Sequence, residues 1–205
     1  MATGAAAVFQ KKFKYHHGQL REALIESALD ILKTQGIEGL NLRALARATG
    51  VTQAAPYSHF RDKDDLLAAV AETGFQRLAM QMVAEATGLR HTQERIEKLI
   101  VSYIRFATEN RPLFQLMFSR ELAQMKNYPT LAMTAGKSYS LISAALSKRP
   151  SPAEDTPFMT VAIWSLCHGL TTLIAEEKIN LQQFGAASVE DFVRRTVGIF
   201  AAHLV

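Results

Sequence analysis

The chain has one cysteine, Cys167, in 205 residues. That excludes an internal disulfide framework and any metal site built from several thiolates, and it suits a reducing compartment, so the expected location is the cytoplasm. No uninterrupted apolar run approaches the roughly eighteen residues of a membrane span. The first apolar residues precede the first lysines, the reverse of a secretory leader. The expectation is a chain neither spanning nor secreted. Strand chemistry is missing too, with no alternating segments joined by a hairpin turn and no repeat at a period of roughly 20 to 50 residues. There is no glycine-rich phosphate loop, no His-Glu-x-x-His spacing and no nucleophile elbow, so neither cofactor nor metal is expected. Cys167 beside His168 is the best hook for an enzyme. Adjacent residues on a helix point about 100° apart, a poor arrangement for nucleophile and base.

What the chain does have is a core-forming composition, 48% hydrophobic, and a formal charge of +4. The charge is unevenly placed. From Met1 to Lys63 nine basic residues (Lys11, Lys12, Lys14, Arg21, Lys33, Arg43, Arg47, Arg61, Lys63) face five acidic ones (Glu22, Glu26, Asp30, Glu38, Asp62), a local +4 that accounts for the whole excess. The other 142 residues balance, so a polyanion should meet the N-terminal end. Residues 1–17 read as an arm ending in Lys11–His17 (KKFKYHH), either a frayed solubilising tail or a phosphate-touching segment.

The periodicity is helical throughout. Leu24, Ala28, Ile31 and Leu32 define a first helix from Leu20, stopped by Gly36 and Gly39. Asn41 caps a second, and Gly50 supplies its left-handed end. Thr52 is expected to cap a short third helix reaching about His59, and Asp62 with Asp65 to open a long fourth through Leu78. Further helices are expected over Thr92–Glu109, Leu113–Ser119, about Thr130–Leu146, Pro157–Glu176 with Thr156 as cap, and 188–203 opened by Ser188 and Asp191. The class is all-α with about nine helices. The division expected is an arm (1–17), a first helical unit (18–78, motif 41–60) and a second helical part (79–205).

The stretch Asn41–Lys63, NLRALARATGVTQAAPYSHFRDK, carries the functional information. Two short helices meeting at Thr49-Gly50-Val51, with Ala46 small where they cross, make a helix-turn-helix. After the turn come Thr52, then Tyr57-x-His59-Phe60, Asp62-Lys63 and Leu66-Leu67. At these offsets the chain closely resembles the TetR family of bacterial transcription regulators, specifically over about Gly18 to Leu78 and beyond that in helical layout. Gln53 can pair with a base edge, while Ala54 and Ala55 can lie against thymine methyls; Ser58 belongs to the same reading face. Thr52, Tyr57, His59 and Lys63 suit phosphate oxygens, and Arg43 suits phosphate or a base edge. Thr52 as a plain cap, Tyr57 as a packing residue and His59 as a helix terminator are the competing readings. Pro56 departs from the family pattern, which often has leucine there; it removes an N–H inside the reading helix.

What the resemblance implies for the second half is a homodimer through 157–176 and 188–203, a palindromic operator on double-stranded DNA, and a small-molecule effector. Trp164, His168 and Gly169 match a Trp-x-x-x-His-Gly pattern found in one subset of these regulators. Trp164 and His168 can stack four residues apart, and Gly169 can admit a neighbouring helix. Tyr103, Phe106, Phe114, Met117 and Phe118, with Trp164, Cys167 and His168, are candidate walls for a large apolar ligand, and equally a helical core. The function expected is a DNA-binding regulator that acts by repression. The alternatives are a nonspecific DNA-binding or helical interaction protein and, much less favoured, an enzyme.

Overall fold

The structure is a computed structural model and describes residues 19–122, 127–148 and 153–201. The basic arm, residues 149–152 of the proline-rich loop and His203 lie outside it.

Leu24, Ile25, Ala28, Ile31 and Leu32 form the buried face of α1 (Leu20–Gly39). Gly36, at φ 68°, breaks the helix one turn before its end, where the sequence places a stop. In α2 (Leu42–Thr49) the Asn41 side chain accepts the Ala44 N–H at 2.8 Å. A cap of this kind is worth about 1 kcal/mol. Gly50 ends the helix at φ 72°, and the next N–H, from Val51, bonds back to the Ala46 carbonyl at 3.1 Å.

The expected third helix is a 3-10 turn over Ala55–Ser58, and Pro56 is the reason. In an α-helix capped by Thr52, the N–H of residue 56 would make the first bond to the Thr52 carbonyl, and proline has none. The chain instead closes i to i−3 bonds, Ala55 N–H to Thr52 O at 3.0 Å and Tyr57 N–H to Ala54 O at 3.1 Å. Thr52 therefore acts through its carbonyl, and the side-chain cap expected of it is not made. Among the described residues this leaves eight α-helices and no strand.

Asp62 opens α3 (Lys63–Ala86) by accepting the Asp65 N–H at 2.8 Å, and Asp65 reaches back to the Arg61 N–H at 3.0 Å. This helix runs two turns beyond Leu78, to Ala86. The helices α4 (Thr92–Glu109), α5 (Arg111–Met117) and α6 (Pro129–Leu146) follow. The short helix expected at Leu113–Ser119 starts two residues earlier because Pro112 sits in its first turn. A 3-10 turn at Ala153–Asp155 feeds α7 (Thr156–Ala175), so helical geometry begins at Thr156, which is the first helical residue and not the cap. Ser188 opens α8 (Val189–Ala201), accepting the Asp191 N–H at 3.1 Å.

α3 packs on α1, α4, α5 and α6, and α4 lies between α3, α7 and α8. One continuous core results, from Leu24 in α1 to Val197 in α8. At its centre α3 and α5 come together over Gly74, where a Cβ would stand 2.7 Å from the Met117 sulfur. α7 is apolar and long enough, by length and composition alone, to cross a membrane, with only 28% of its most apolar window buried. It rests one face on α4 and α6. Thr160 and Thr171 on that face are buried, their hydroxyls bonded to the carbonyls of Thr156 and Cys167 at 2.7 Å each.

Candidate nucleic-acid interface and the aromatic box

Leu42, Leu45 and Ala46 turn inward from α2, which leaves Arg43 and Arg47 exposed on the other side. After Gly50, Pro56 and Phe60 are the two buried residues of the turn, Phe60 at 1% exposure. With those two anchored, Thr52, Gln53, Ala54, Tyr57 and Ser58 are exposed and Ala55 and His59 half-buried. Tyr57, at 53%, presents its phenol to solvent and not to the core. The Ser58 hydroxyl donates to the Ala55 carbonyl at 2.7 Å, so in the free protein it is engaged locally. Lys63 is exposed at the first residue of α3. All nine residues singled out from the sequence thus fall on α2, the turn and the start of α3. Not anticipated was Arg21 of α1, whose guanidinium carbon stands 5.7 Å from the centre of the Phe60 ring. Only the three-dimensional packing places α1 there. Arg61, by contrast, is held by Asp65 at 3.4 Å, and this contact raises its pKa.

In the second half, Trp164 and His168 stack with centroids 5.6 Å apart and planes inclined by 18°, as their spacing predicts. Phe118 at 4.5 Å and Phe114 at 5.8 Å bring α5 to the same imidazole. Tyr103 from α4 places its hydroxyl 3.1 Å from His168 Nδ1. Four rings from three helices therefore surround one histidine. Burial pulls the His168 pKa down and pushes that of Tyr103 up, so both are uncharged at neutral pH. Cys167 is fully buried, its thiol pushed up to about 12 by burial, and His168 faces Tyr103 instead of the thiol. A protonated, inaccessible sulfur is no nucleophile.

Phe106 and Met117 are buried as well, Met117 against Gly74. Two surface clefts lie elsewhere: one of about 220 Å³ between α1, α3 and the α4–α5 corner, one of about 160 Å³ where α3, α4 and α6 meet. None of the expected pocket walls lines either one. A Cβ on Gly169 would meet nothing within 4 Å, so the close helix approach expected there is not made within the chain.

Residues 24–70 match the family described as bacterial regulatory proteins, tetR family, and residues 96–199 match the tetracyclin repressor-like C-terminal domain. Over 52 residues the chain is 52% identical to tetracycline repressor protein class C of Escherichia coli, 25% of this chain and 24% of that one. The chain thus matches about a quarter of that repressor's length. It is 25% identical over 168 residues to the HTH-type transcriptional regulator YobS of Bacillus subtilis (strain 168), covering 81% of this chain and 84% of that one. A protein of unknown function from Rhodococcus sp. RHA1 shares the fold at a TM-score of 0.75 and 31% identity, over 91% of this chain and 96% of that one. FadR of Bacillus subtilis, solved in complex with stearoyl-CoA, shares it at 0.62 and 14% identity, over 84% and 96%. With both halves matched, the chain belongs to the TetR family of DNA-binding helix-turn-helix transcription regulators.

Proposed function

We propose that the protein is a cytoplasmic repressor that occupies a palindromic operator as a homodimer and leaves it when a small, largely apolar effector binds near His168. The observation that carries the dimer, and with it the palindrome, is the uncovered stripe of α7. Phe158 at 79% exposure, Val161 at 51% and Leu173 at 41% recur at helical spacing, with Ala162, Ser165 and Gly169 exposed between them. An exposed apolar stripe costs free energy until something covers it, and a second copy of the same helix is self-complementary about a two-fold axis. Ile199 on α8, 64% exposed, is a further uncovered apolar residue on the other helix assigned to this contact.

Two such protomers set two reading turns against successive major grooves. Gln53, Ala54, Ala55 and Ser58 meet base edges there, and Arg43, Thr52, Tyr57, His59 and Lys63 meet backbone. Occupying promoter DNA in this way blocks transcription without further parts. The box of Tyr103, Phe114, Phe118, Trp164 and His168 supplies ring faces and one imidazole, the chemistry of a site for a flat or extended apolar molecule.

The test is selection from random duplexes on the purified protein. Enrichment of an inverted repeat with half-sites about one helical turn apart is expected. Uniform, steeply salt-dependent binding with no enriched repeat would sink this reading in favour of a nonspecific DNA-coating protein.

A further inference from the structure

We propose that Arg21, in the first turn of α1, is a phosphate anchor lying outside the helix-turn-helix motif. Its guanidinium stands over the Phe60 ring at 5.7 Å, and Phe60 closes the reading turn by donating its N–H to the Pro56 carbonyl at 2.9 Å. The α1 N-terminus is therefore held against Phe60, which follows Tyr57 by three residues and precedes Lys63 by three. Two nearby arginines are occupied, Arg61 by Asp65 within its own turn and Arg77 by Glu26 of α1. Arg21 is exposed and forms no ion pair among the described residues.

A cation over a ring makes no hydrogen bond to it, so the guanidinium N–H groups stay free, and their edge matches two oxygens of a phosphate. The ring also limits the rotamers of the side chain before DNA arrives, so less freedom is lost on binding. Arg43 on α2, Lys63 on α3 and Arg21 on α1 then grip the backbone from three separate helices around one turn. Arg21 thus adds a contact from α1 to those the motif's own residues supply from α2, the turn and α3.

The inference rests on DNA binding by this family, and its test is the salt dependence of that binding. Full-length wild-type protein, Arg21→Ala, Arg21→Lys and Lys33→Ala are titrated by fluorescence anisotropy against one duplex at several salt concentrations. Lys33 lines the cleft toward Pro112 and Leu113, away from the reading turn, and serves as the control. Each lost phosphate contact lowers the slope of log K against log salt by about 0.9, hence about 1.8 for a dimer carrying the change twice. Arg21→Ala is expected to show that fall, with equal loss on all sequences. Arg21→Lys should keep most of the slope, and Lys33→Ala should match wild type. An unchanged slope for Arg21→Ala overturns the proposal even if affinity drops, because packing alone would act that way. The comparison reads equally well on nonspecific DNA, so it stands apart from whether a palindrome is preferred.

Discussion

At the scale of single residues, the reading turn separates positioning from recognition. Tyr57 is exposed and carries a hydroxyl suited to phosphate, whereas Gln53 carries an amide suited to a base edge. Tyr57→Ala should weaken binding to all duplexes alike. Gln53→Ala should alter which duplexes are preferred and cost about 1–3 kcal/mol on the favoured one. Competition binding across a set of single-base operator variants checks both, and loss of affinity without changed preference in the two proteins would refute the division. His168 gives a different residue-scale prediction. Its folded pKa lies below the unfolded value, so the unfolded chain binds more protons as pH falls past about 6.5. The stability linked to His168 is therefore full above that pH and lost below it. The midpoint of thermal unfolding should fall between pH 7 and 5.5, above the range where carboxylates titrate, and His168→Gln should flatten that fall.

At the scale of elements, α3 and α5 meet closely over Gly74. A Cβ at Gly74 would stand 2.7 Å from Met117 Sδ, 3.0 Å from its Cγ and 3.1 Å from Leu113 Cδ1. Gly74→Ala would gain up to about 1 kcal/mol of helix propensity and lose about 1–3 kcal/mol to overpacking. A net lowering of the denaturation midpoint is expected, relieved when Met117→Ala is added. The helix starts were legible in the sequence because their chemistry is local: Asn41, Asp62 and Ser188 each make the cap bond their spacing implies. The Trp164–His168 stack was legible for the same reason, both residues lying on one helix. The conformation of the reading turn was not. Pro56 signalled trouble, but whether the chain would kink, unwind or tighten depended on Phe60 and Pro56 both finding the core. Nor could spacing reveal that Tyr103, Phe114 and Phe118 converge on His168, since their helices meet only in three dimensions.

At the scale of the whole molecule, the proposed dimer depends on the uncovered stripe of α7. Val161→Asp puts a charge on this stripe at a residue 51% exposed in the free chain. Sedimentation should then report monomer where the unaltered protein is dimer, with the thermal midpoint extrapolated to low concentration nearly unchanged. Affinity for a full palindrome should collapse toward that for a half-site. Persistence of the dimer would move the interface elsewhere. α3 joins the two ends of this molecule as one unbroken rod of 24 residues, from Lys63 beside the reading turn to Ala86 at the far side of the core. At about 1.5 Å per residue that is roughly 36 Å of stiff lever. Pivoting it by about 5° at Ala86 sweeps Lys63 through roughly 3 Å, close to the spacing of one base step. In the proposed dimer, a few degrees of tilt in each protomer's lever would be enough to lose register on DNA, with no unfolding and no large rearrangement.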